Sequence, residues 1–217
     1  MISVIFDMDG VLVDSEPVIT EAAILGLREY GVQAVPEDFI PFVGTGEDRF
    51  IGGVAEKYGL PYKPEMKRRV YAIYLEIVQD KIKVFEGVHE LLRKLQEMGI
   101  KFALGSSADR IKVDANLKAA GIPTEWFSAI ISGENVYHKK PAPDIFLQAA
   151  QAMSVQPADC IVIEDAVSGI RAAKAGGMKC IAITTSFSEE ELAKEHPDCI
   201  CRDISAVQRE LIRFIKH

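Results

Sequence analysis

The chain begins MISVIFDMDGVLVDSEP, residues 1–17, in which an apolar run is followed at once by acidic groups. The residues VIF at 4–6 are typical of a buried strand, and the carboxylates of Asp7 and Asp9 come directly after it. Side chains two residues apart in an extended chain point the same way, so both carboxylates can face one reaction centre. The pattern raises the question of why a soluble protein places two negative charges at the end of a buried strand.

Beyond residue 84 the chain alternates between strand-like and helix-like patterns. The predicted strands are IKFALG (100–105), FSAIIS (127–132), CIVIE (160–164), KCIAIT (179–184) and DCIC (198–201). The predicted helices are 88–99, 111–121, 144–153, 168–177 and 206–215. Strands that alternate with helices indicate right-handed βαβ units and a parallel sheet covered on both faces. We expect the first strand, residues 2–7, to belong to this sheet, in an α/β fold.

The segment between the first strand and residue 84 has helical spacing and no convincing strand. The predicted helices lie around residues 18–27, 50–58 and 66–77. Ser15 stands where an N-cap residue would open the first of these helices. The segment 16–84 is therefore predicted to be a helical insertion into a core formed by residues 1–15 and 85–217.

The composition narrows the possible functions. The 217 residues carry a net charge of −7, with acidic and basic side chains interleaved, whereas a surface for nucleic acid or anionic lipid needs a basic face. No apolar stretch approaches the ~20 residues of a membrane span. The N-terminus has no basic segment before its short apolar run, so it does not resemble a secretory signal. We expect a cytoplasmic monomer that binds neither nucleic acid nor membranes.

Polar side chains follow the other predicted strands as well. In an open parallel sheet, ligands bind beyond the carboxyl ends of the strands, so these positions are candidate site residues. They are Ser106 and Ser107 after the second strand, Lys139 and Lys140 after the third, and Glu164 and Asp165 at the end of the fourth. The site is thus expected to combine acids, hydroxyls and a cation.

The four acids Asp7, Asp9, Glu164 and Asp165 would repel one another strongly unless a divalent cation lay among them. Hard carboxylate oxygens without a nearby His or Cys favour Mg²⁺. The sequence therefore predicts a Mg²⁺ cofactor and gives a first reason for the acidic strand end.

A carboxylate of such a site can also act as a nucleophile in aspartyl-phosphate chemistry. Asp7 would attack phosphorus, and Asp9 would protonate the leaving oxygen and later deprotonate water. Phosphoryl transfer requires that the equatorial oxygens be neutralised. Ser106, the backbone N–H of Ser107, Lys140 and Mg²⁺ are the candidates for this role.

Four motifs of the chain resemble those of the haloacid dehalogenase superfamily. They are DMDGVLVDS (7–15), a strand ending in Ser106, KPAPD (140–144) and EDAVSGI (164–170). The resemblance covers the whole chain in order. It is greatest to the branch that contains β-phosphoglucomutase and small sugar-phosphate phosphatases.

The resemblance implies a Rossmann-like catalytic core with residues 16–84 as a small helical cap domain that closes over the site. It implies a nucleophilic Asp7 and an acid/base Asp9, with Ser106 binding phosphate and Lys140 stabilising it. It also implies that Mg²⁺ is held by Asp7, the backbone carbonyl of Asp9 and Asp165, with Glu164 adjacent.

The cap loop 44–49 has the polarity of a substrate-reading loop, and Gly44, Thr45, Glu47 and Arg49 are its candidate substrate-binding residues, although its glycines are equally typical of plain turns. Compared with the mutase pattern, the chain has Ile19 in place of a His, and Glu47 in place of an Arg. These departures favour hydrolysis of a small phosphorylated metabolite over isomerisation.

The sequence leaves three alternative functions open. A β-phosphoglucomutase-type isomerase would use the same core. A dehalogenase would need neither Asp9 nor the Glu164–Asp165 pair, and a non-catalytic phospho-acceptor module would need neither the cap nor Asp9. The favoured prediction is a Mg²⁺-dependent phosphatase that acts through phospho-Asp7.

Overall fold

The structure, a computed structural model, describes residues 2–216. Its strands are β1 (Ser3–Phe6), β2 (Val13–Asp14), β3 (Lys83–Val84), β4 (Phe102–Gly105), β5 (Ala129–Ile131), β6 (Cys160–Glu164), β7 (Lys179–Ile183) and β8 (Cys199–Cys201). Its α-helices are α1 (Glu16–Arg28), α2 (Glu47–Lys57), α3 (Pro64–Lys81), α4 (Val88–Glu97), α5 (Arg110–Ala119), α6 (Asp144–Met153), α7 (Val167–Ala175), α8 (Glu189–Ala193) and α9 (Ile204–Lys216). None of the helices within 2–216 has the length and apolar character needed to cross a bilayer.

Six strands form one parallel sheet in the order β5-β4-β1-β6-β7-β8. The first strand lies at the centre, where Phe6 is in register with Leu104 on one side and Ile163 on the other. The carboxyl ends of β1, β4 and β6 therefore meet at the same edge. The prediction of an α/β fold with a Rossmann-like parallel sheet is confirmed.

The two faces of the sheet are covered by different helices, as the alternation of side chains along β1 requires. Val4 and Phe6 pack into a cluster with residues of α4, α5 and α9. Ile5 points the other way and packs with residues of α6 and α7. All three side chains are fully buried, so the continuous apolar run at 4–6 reflects a strand covered on both faces.

Helices α1, α2 and α3 build a separate hydrophobic cluster, whose buried members come from residues 18–78. Gly26 allows α1 and α3 to approach closely, because a Cβ at this position would lie 2.8 Å from Cγ2 of Val70. Ala115 and Ala119 of α5 pack against the same cluster. The division of the chain into the segment 16–84 and a core stays a prediction. The separate cluster of α1, α2 and α3 is consistent with it.

The expectation of no strand between 16 and 84 is wrong. Strand β3 pairs antiparallel with β2, so that Val13 lies opposite Val84 and Asp14 opposite Lys83. A two-residue strand has no periodicity to detect and is defined only by its partner. The pair joins the connection from β1 to α1 with the connection from α3 to α4.

Candidate active site

The ends of four strands converge on one cavity of about 950 Å³. Most of the residues predicted from the strand ends lie in its wall, together with two of the four candidate substrate-binding residues of the loop 44–49. These are Asp7, Asp9, Ser106, Ser107, Lys140, Glu164, Asp165, Gly44 and Glu47. The parallel register explains the convergence, because β1, β4 and β6 end side by side.

Lys140 is buried between two carboxylates. Its Nζ lies 2.6 Å from Oδ1 of Asp7 and 2.6 Å from Oε1 of Glu164. Burial alone would lower the pKa of Lys140, but these two carboxylates outweigh it and hold the pKa above its ordinary value. The side chain is therefore a charged ammonium fixed in place, as expected of a group that binds an anion.

The carboxylates are more numerous than the cations that face them. One oxygen each of Asp7, Glu164 and Asp165 lie within 4.8 Å of one another. Burial is the main cause that raises the pKa of Asp7 to about 7, with Lys140 opposing it and Glu164 adding to it. Burial, then Glu164 and Asp7, also hold the pKa of Asp165 well above its usual range.

A divalent cation fits this cluster. Oxygen donors alone are the set that Mg²⁺ prefers. The backbone also makes room for Asp165, because Gly10 has a φ of +83° and a Cβ there would lie 1.9 Å from Oδ2 of Asp165. Residue 10 must therefore be glycine for this carboxylate to reach the cluster.

Glu164 has partners at both of its oxygens. Its Oε2 accepts from the backbone N–H groups of Asp165 and Ala166, both at 2.8 Å, while Oε1 accepts from Lys140. Gly169 leaves the space for it, since a Cβ at that position would lie 1.7 Å from Oε1. Glu164 is thus held at the cluster in an orientation that also fixes Lys140.

Asp9 belongs to a different set of contacts from Asp7. Its Oδ1 accepts from the hydroxyl of Ser15 and from Nδ2 of Asn116 at 3.2 Å, and its Oδ2 lies 3.1 Å from Nζ of Lys112. Its side chain is not one of the three that form the acidic cluster. The carboxylate of Asp9 is therefore held by Ser15, Asn116 and Lys112 rather than by the acidic cluster.

The prediction that Ser15 is the N-cap residue of α1 is confirmed. Ser15 occupies the N-cap position, but its hydroxyl makes no capping hydrogen bond and donates to Asp9 instead. In a capping bond the hydroxyl oxygen accepts from a backbone N–H of the first helical turn, and the capping residue typically has an extended backbone. Ser15 has φ −98° and ψ −12° instead.

Two residues of α5 in this network were missed in the sequence. Lys112 and Asn116 are buried and four residues apart, so they share one helix face. The signal that could have found them is a lysine and an asparagine on the same face as the apolar Val113 and Leu117, both fully buried. Charged residues are almost never fully buried unless they are paired.

The two serines after β4 differ in their bonding. Ser106 accepts through Oγ from the N–H of Ala108 at 3.1 Å, and its own N–H donates to the carbonyl of Ile131. Ser107 has a buried Oγ that finds no hydrogen-bond partner among residues 2–216. Both serines line the same cavity as Asp7.

The structure brings only part of the predicted cap loop into the cavity. Gly44 and Glu47 line it, whereas Thr45 and Arg49 do not. Thr45 donates through Oγ1 to the carbonyl of Phe42, and Arg49 lies 2.8 Å from Glu56. The reason is that α2 begins at Glu47, so a residue two positions further along points to almost the opposite side of the helix.

A sequence profile of the haloacid dehalogenase-like hydrolases matches residues 3–177. The chain belongs to this family. The resemblance of the four motifs of the haloacid dehalogenase-like chain to this family is thereby confirmed.

Three relatives illustrate the range of the family. The chain is 46% identical over 209 residues to the Arabidopsis thaliana protein SUPPRESSOR OF QUENCHING 1, chloroplastic, covering 94% of this chain and 20% of that protein. It is 35% identical to the Arabidopsis thaliana bifunctional riboflavin kinase/FMN phosphatase, covering 83% and 48%. It is 32% identical to the fructose-1-phosphate phosphatase YqaB of Escherichia coli, covering 82% and 94%. The haloacid dehalogenase-like chain thus spans a fifth and about half of the two plant proteins.

Solved structures support the same branch. CbbY from Rhodobacter sphaeroides, solved with phosphate, has a TM-score of 0.83 at 25% identity, over 94% of this chain and 96% of that one. A putative β-phosphoglucomutase from Thermotoga maritima has a TM-score of 0.77 at 26% identity, over 100% and 99%. The haloacid dehalogenase-like chain is similar to both.

Proposed function

We propose that the chain is a Mg²⁺-dependent phosphatase that hydrolyses a small phosphorylated metabolite, such as a sugar phosphate, through a phospho-Asp7 intermediate. The observation that carries this proposal is the contact of Asp7 with Lys140 at 2.6 Å inside a cluster of three carboxylates. A nucleophilic carboxylate, a fixed cation and a metal-binding set in one cavity are what phosphoryl transfer needs. The named phosphatases among the relatives support a phosphoric monoester hydrolase.

In the first half-reaction, a carboxylate oxygen of Asp7 attacks phosphorus while Lys140 faces the negative charge of the phosphoryl oxygens. Ser106 and Ser107 supply further donors at the end of β4. Asp7, Asp165 and the backbone carbonyl of Asp9 would hold Mg²⁺, which supplies positive charge that keeps Asp7 ionised and neutralises the phosphoryl group.

Asp9 supplies the proton transfers of both half-reactions. It gives a proton to the oxygen of the departing alcohol and then takes one from the water that attacks phospho-Asp7. Its contacts with Ser15, Lys112 and Asn116 support this role, because they fix the carboxyl group in the wall of the cavity.

We also propose that residues 16–84 act as the cap. Their separate hydrophobic cluster supports this division. Apolar side chains of this segment, among them Ile19, Phe42 and Phe50, line the cavity above the strand ends. Such a wall would exclude water from the reacting phosphate when a substrate is bound.

Glu47 favours hydrolysis over a mutase reaction. A mutase of this family must hold a sugar with two phosphate groups, and a cation in the cap would suit the second phosphate. The structure places the buried carboxylate of Glu47 in the cavity wall, at the position where the mutase pattern has an Arg. A carboxylate accepts hydrogen bonds from hydroxyl groups and repels a second phosphate.

The predicted cytoplasmic location and monomeric state stay predictions.

The test is a panel of phosphate esters assayed for released phosphate, with and without Mg²⁺, using Asp7→Asn as the inactive control. The proposal expects Mg²⁺-dependent release from at least one small ester. Conversion of β-glucose 1-phosphate to glucose 6-phosphate without phosphate release would instead identify a mutase, and release from none of the esters would overturn the proposal.

A further inference from the structure

Lys112 is a buried lysine between the catalytic strand ends and the cap helices. Its side chain is 5% exposed, and its Nζ lies 3.1 Å from Oδ2 of Asp9 and 3.2 Å from Oε1 of Glu47. Asp9 follows β1 and Glu47 opens α2, so one ammonium group joins the two sides of the cavity. Burying a lysine is costly unless it is paired, and here both of its partners lie in the cavity wall.

The two carboxylate oxygens of Glu47 differ in their contacts. Its side chain is 9% exposed, and while Oε1 faces Lys112, Oε2 has no hydrogen-bond partner within residues 2–216. A buried acceptor without a donor loses its hydrogen bonds to water and gains none within the protein, which is unfavourable. Because Glu47 lines the cavity, a hydroxyl group of a bound substrate is the donor that we consider for this oxygen.

We propose that Lys112 is a positioning residue that holds Asp9 and Glu47 on one ammonium group, and that Oε2 of Glu47 accepts a hydroxyl of the alcohol part of the substrate. This inference rests on the proposed phosphatase function and makes it more specific. It assigns the substrate to phosphate esters with a hydroxyl close to the ester oxygen that Asp9 protonates.

A second link keeps Asp9 in place when Lys112 is changed. The hydroxyl of Tyr74 on α3 donates to Oδ1 of Asn116 at 2.5 Å, and Nδ2 of Asn116 donates to Asp9 at 3.2 Å. Asp9 also accepts a hydrogen bond from the hydroxyl of Ser15. Variants of Lys112 therefore remove one of three contacts to Asp9 and leave its other partners present.

The first experiment compares two substrates in the Glu47→Leu variant. They are the sugar phosphate that is hydrolysed best in the panel and phenyl phosphate, which has no hydroxyl group. Loss of a hydrogen bond to a charged acceptor is worth about 1.5–3 kcal/mol, or roughly tenfold to a hundredfold in kcat/KM. We expect the loss for the sugar phosphate to exceed the loss for phenyl phosphate by at least about tenfold, with Glu47→Gln showing a smaller difference.

The matched control is Glu56→Leu on the same helix, where the side chain is exposed and pairs with Arg49. It should leave the ratio of the two kcat/KM values unchanged. Equal losses for both substrates in Glu47→Leu and Glu47→Gln, or no loss in either, would overturn the role of Oε2.

The second experiment tests the positioning role of Lys112. Lys112→Met should lower kcat for both substrates by about tenfold, since proton transfer by Asp9 serves both, and Lys112→Arg should recover most of it. Lys118→Met, an exposed position on the same helix, is the control. If Lys112→Met behaved like Lys118→Met, the positioning role would be wrong.

Different results would overturn the proposed phosphatase function and the inference about Lys112 and Glu47. A wild-type protein that hydrolyses no ester would overturn the proposed function and this inference together. A wild-type protein that hydrolyses esters, but whose Glu47 variants do not distinguish hydroxylated from unhydroxylated substrates, would overturn the inference alone.

Discussion

Nζ of Lys140 lies 2.6 Å from Oδ1 of Asp7, and the two residues are 133 positions apart in the chain. The contact forms because the connection after β5 folds over the carboxyl end of β1, two strands away in the sheet. The same ammonium group reaches Glu164 at 2.6 Å. One buried cation thus compensates two buried carboxylates, and its removal has consequences for stability as well as for turnover.

Lys140→Met should lower the free energy of unfolding by about 3–5 kcal/mol, because it leaves two buried carboxylates without their partner. Turnover should fall below detection. Lys139→Met is the matched control, since the Lys139 side chain is 33% exposed and lies 4.0 Å from Asp109. Its effect should stay within about 1 kcal/mol. Urea unfolding measures both, and equal midpoints for the two variants would contradict the burial argument.

Asp165→Asn should have opposite effects on stability and on metal binding. With EDTA present the variant should melt a few degrees higher than wild type, because burial and the neighbouring Glu164 and Asp7 disfavour the charge it removes. Mg²⁺ should raise the melting temperature of wild type but not of the variant. Asp159→Asn, at an exposed position before β6, should respond to Mg²⁺ as wild type does. A full Mg²⁺ response in Asp165→Asn would remove this residue from the metal site.

Gly169→Ala should be destabilising although alanine is the better helix former. Within α7 the propensity alone would stabilise the helix by about 1 kcal/mol. The added Cβ would lie 1.7 Å from Oε1 of Glu164, so the carboxylate that holds Lys140 must move. Activity should fall at least about tenfold. Gly176→Ala is the control, because its nearest contact would be 3.4 Å, and normal kinetics in Gly169→Ala would show that the position of Glu164 is not critical.

Asp38 should stabilise the helical segment 16–84 in a pH-dependent way. Hydrogen bonds from Lys57, the N–H of Val35 and Tyr58 lower the pKa of Asp38 from its ordinary 3.8 to about 2. A depressed folded-state pKa contributes stability above the unfolded pKa that is lost as the pH falls through the folded one.

Asp38→Asn should therefore be less stable than wild type at pH 7, and the difference should shrink as the pH falls from about 4 to about 2. Chemical unfolding at a series of pH values measures it. Asp80→Asn, at an exposed site on α3, should show no such trend. A difference that stays constant down to pH 2 would mean that Asp38 carries no linked stability.

The strand-end residues could be predicted because their positions follow from local rules. An apolar run of four to six residues indicates a buried strand, and a parallel sheet brings the residues after such strands to one edge. This reasoning led to Asp7, Ser106, Lys140, Glu164 and Asp165, which the structure brings to one cavity. The parallel α/β fold follows from the same alternation.

The contacts around Asp9 could not be predicted in that way. Lys112 and Asn116 meet Asp9 across more than a hundred residues, and no local pattern specifies which helix face will cover a given strand end. The hydroxyl of Ser15 was expected at the helix end because capping is a local rule, while its actual acceptor depends on tertiary structure. Arg49 was expected in the site from its polarity, and the helix that begins at Glu47 turns it away.

The identity of the group that accepts the phosphoryl is the central claim, and a rapid acid quench of turnover tests it most directly. Asp9→Asn, incubated with a substrate from the panel and Mg²⁺, should accumulate the phosphoenzyme, because the attack of water loses its base. Peptide mass spectrometry should then find the added mass of one phosphoryl group on Asp7, and none in the Asp7→Asn variant. Full turnover of the wild type with no covalent phosphate in the quenched protein, or with phosphate on another residue, would contradict the account.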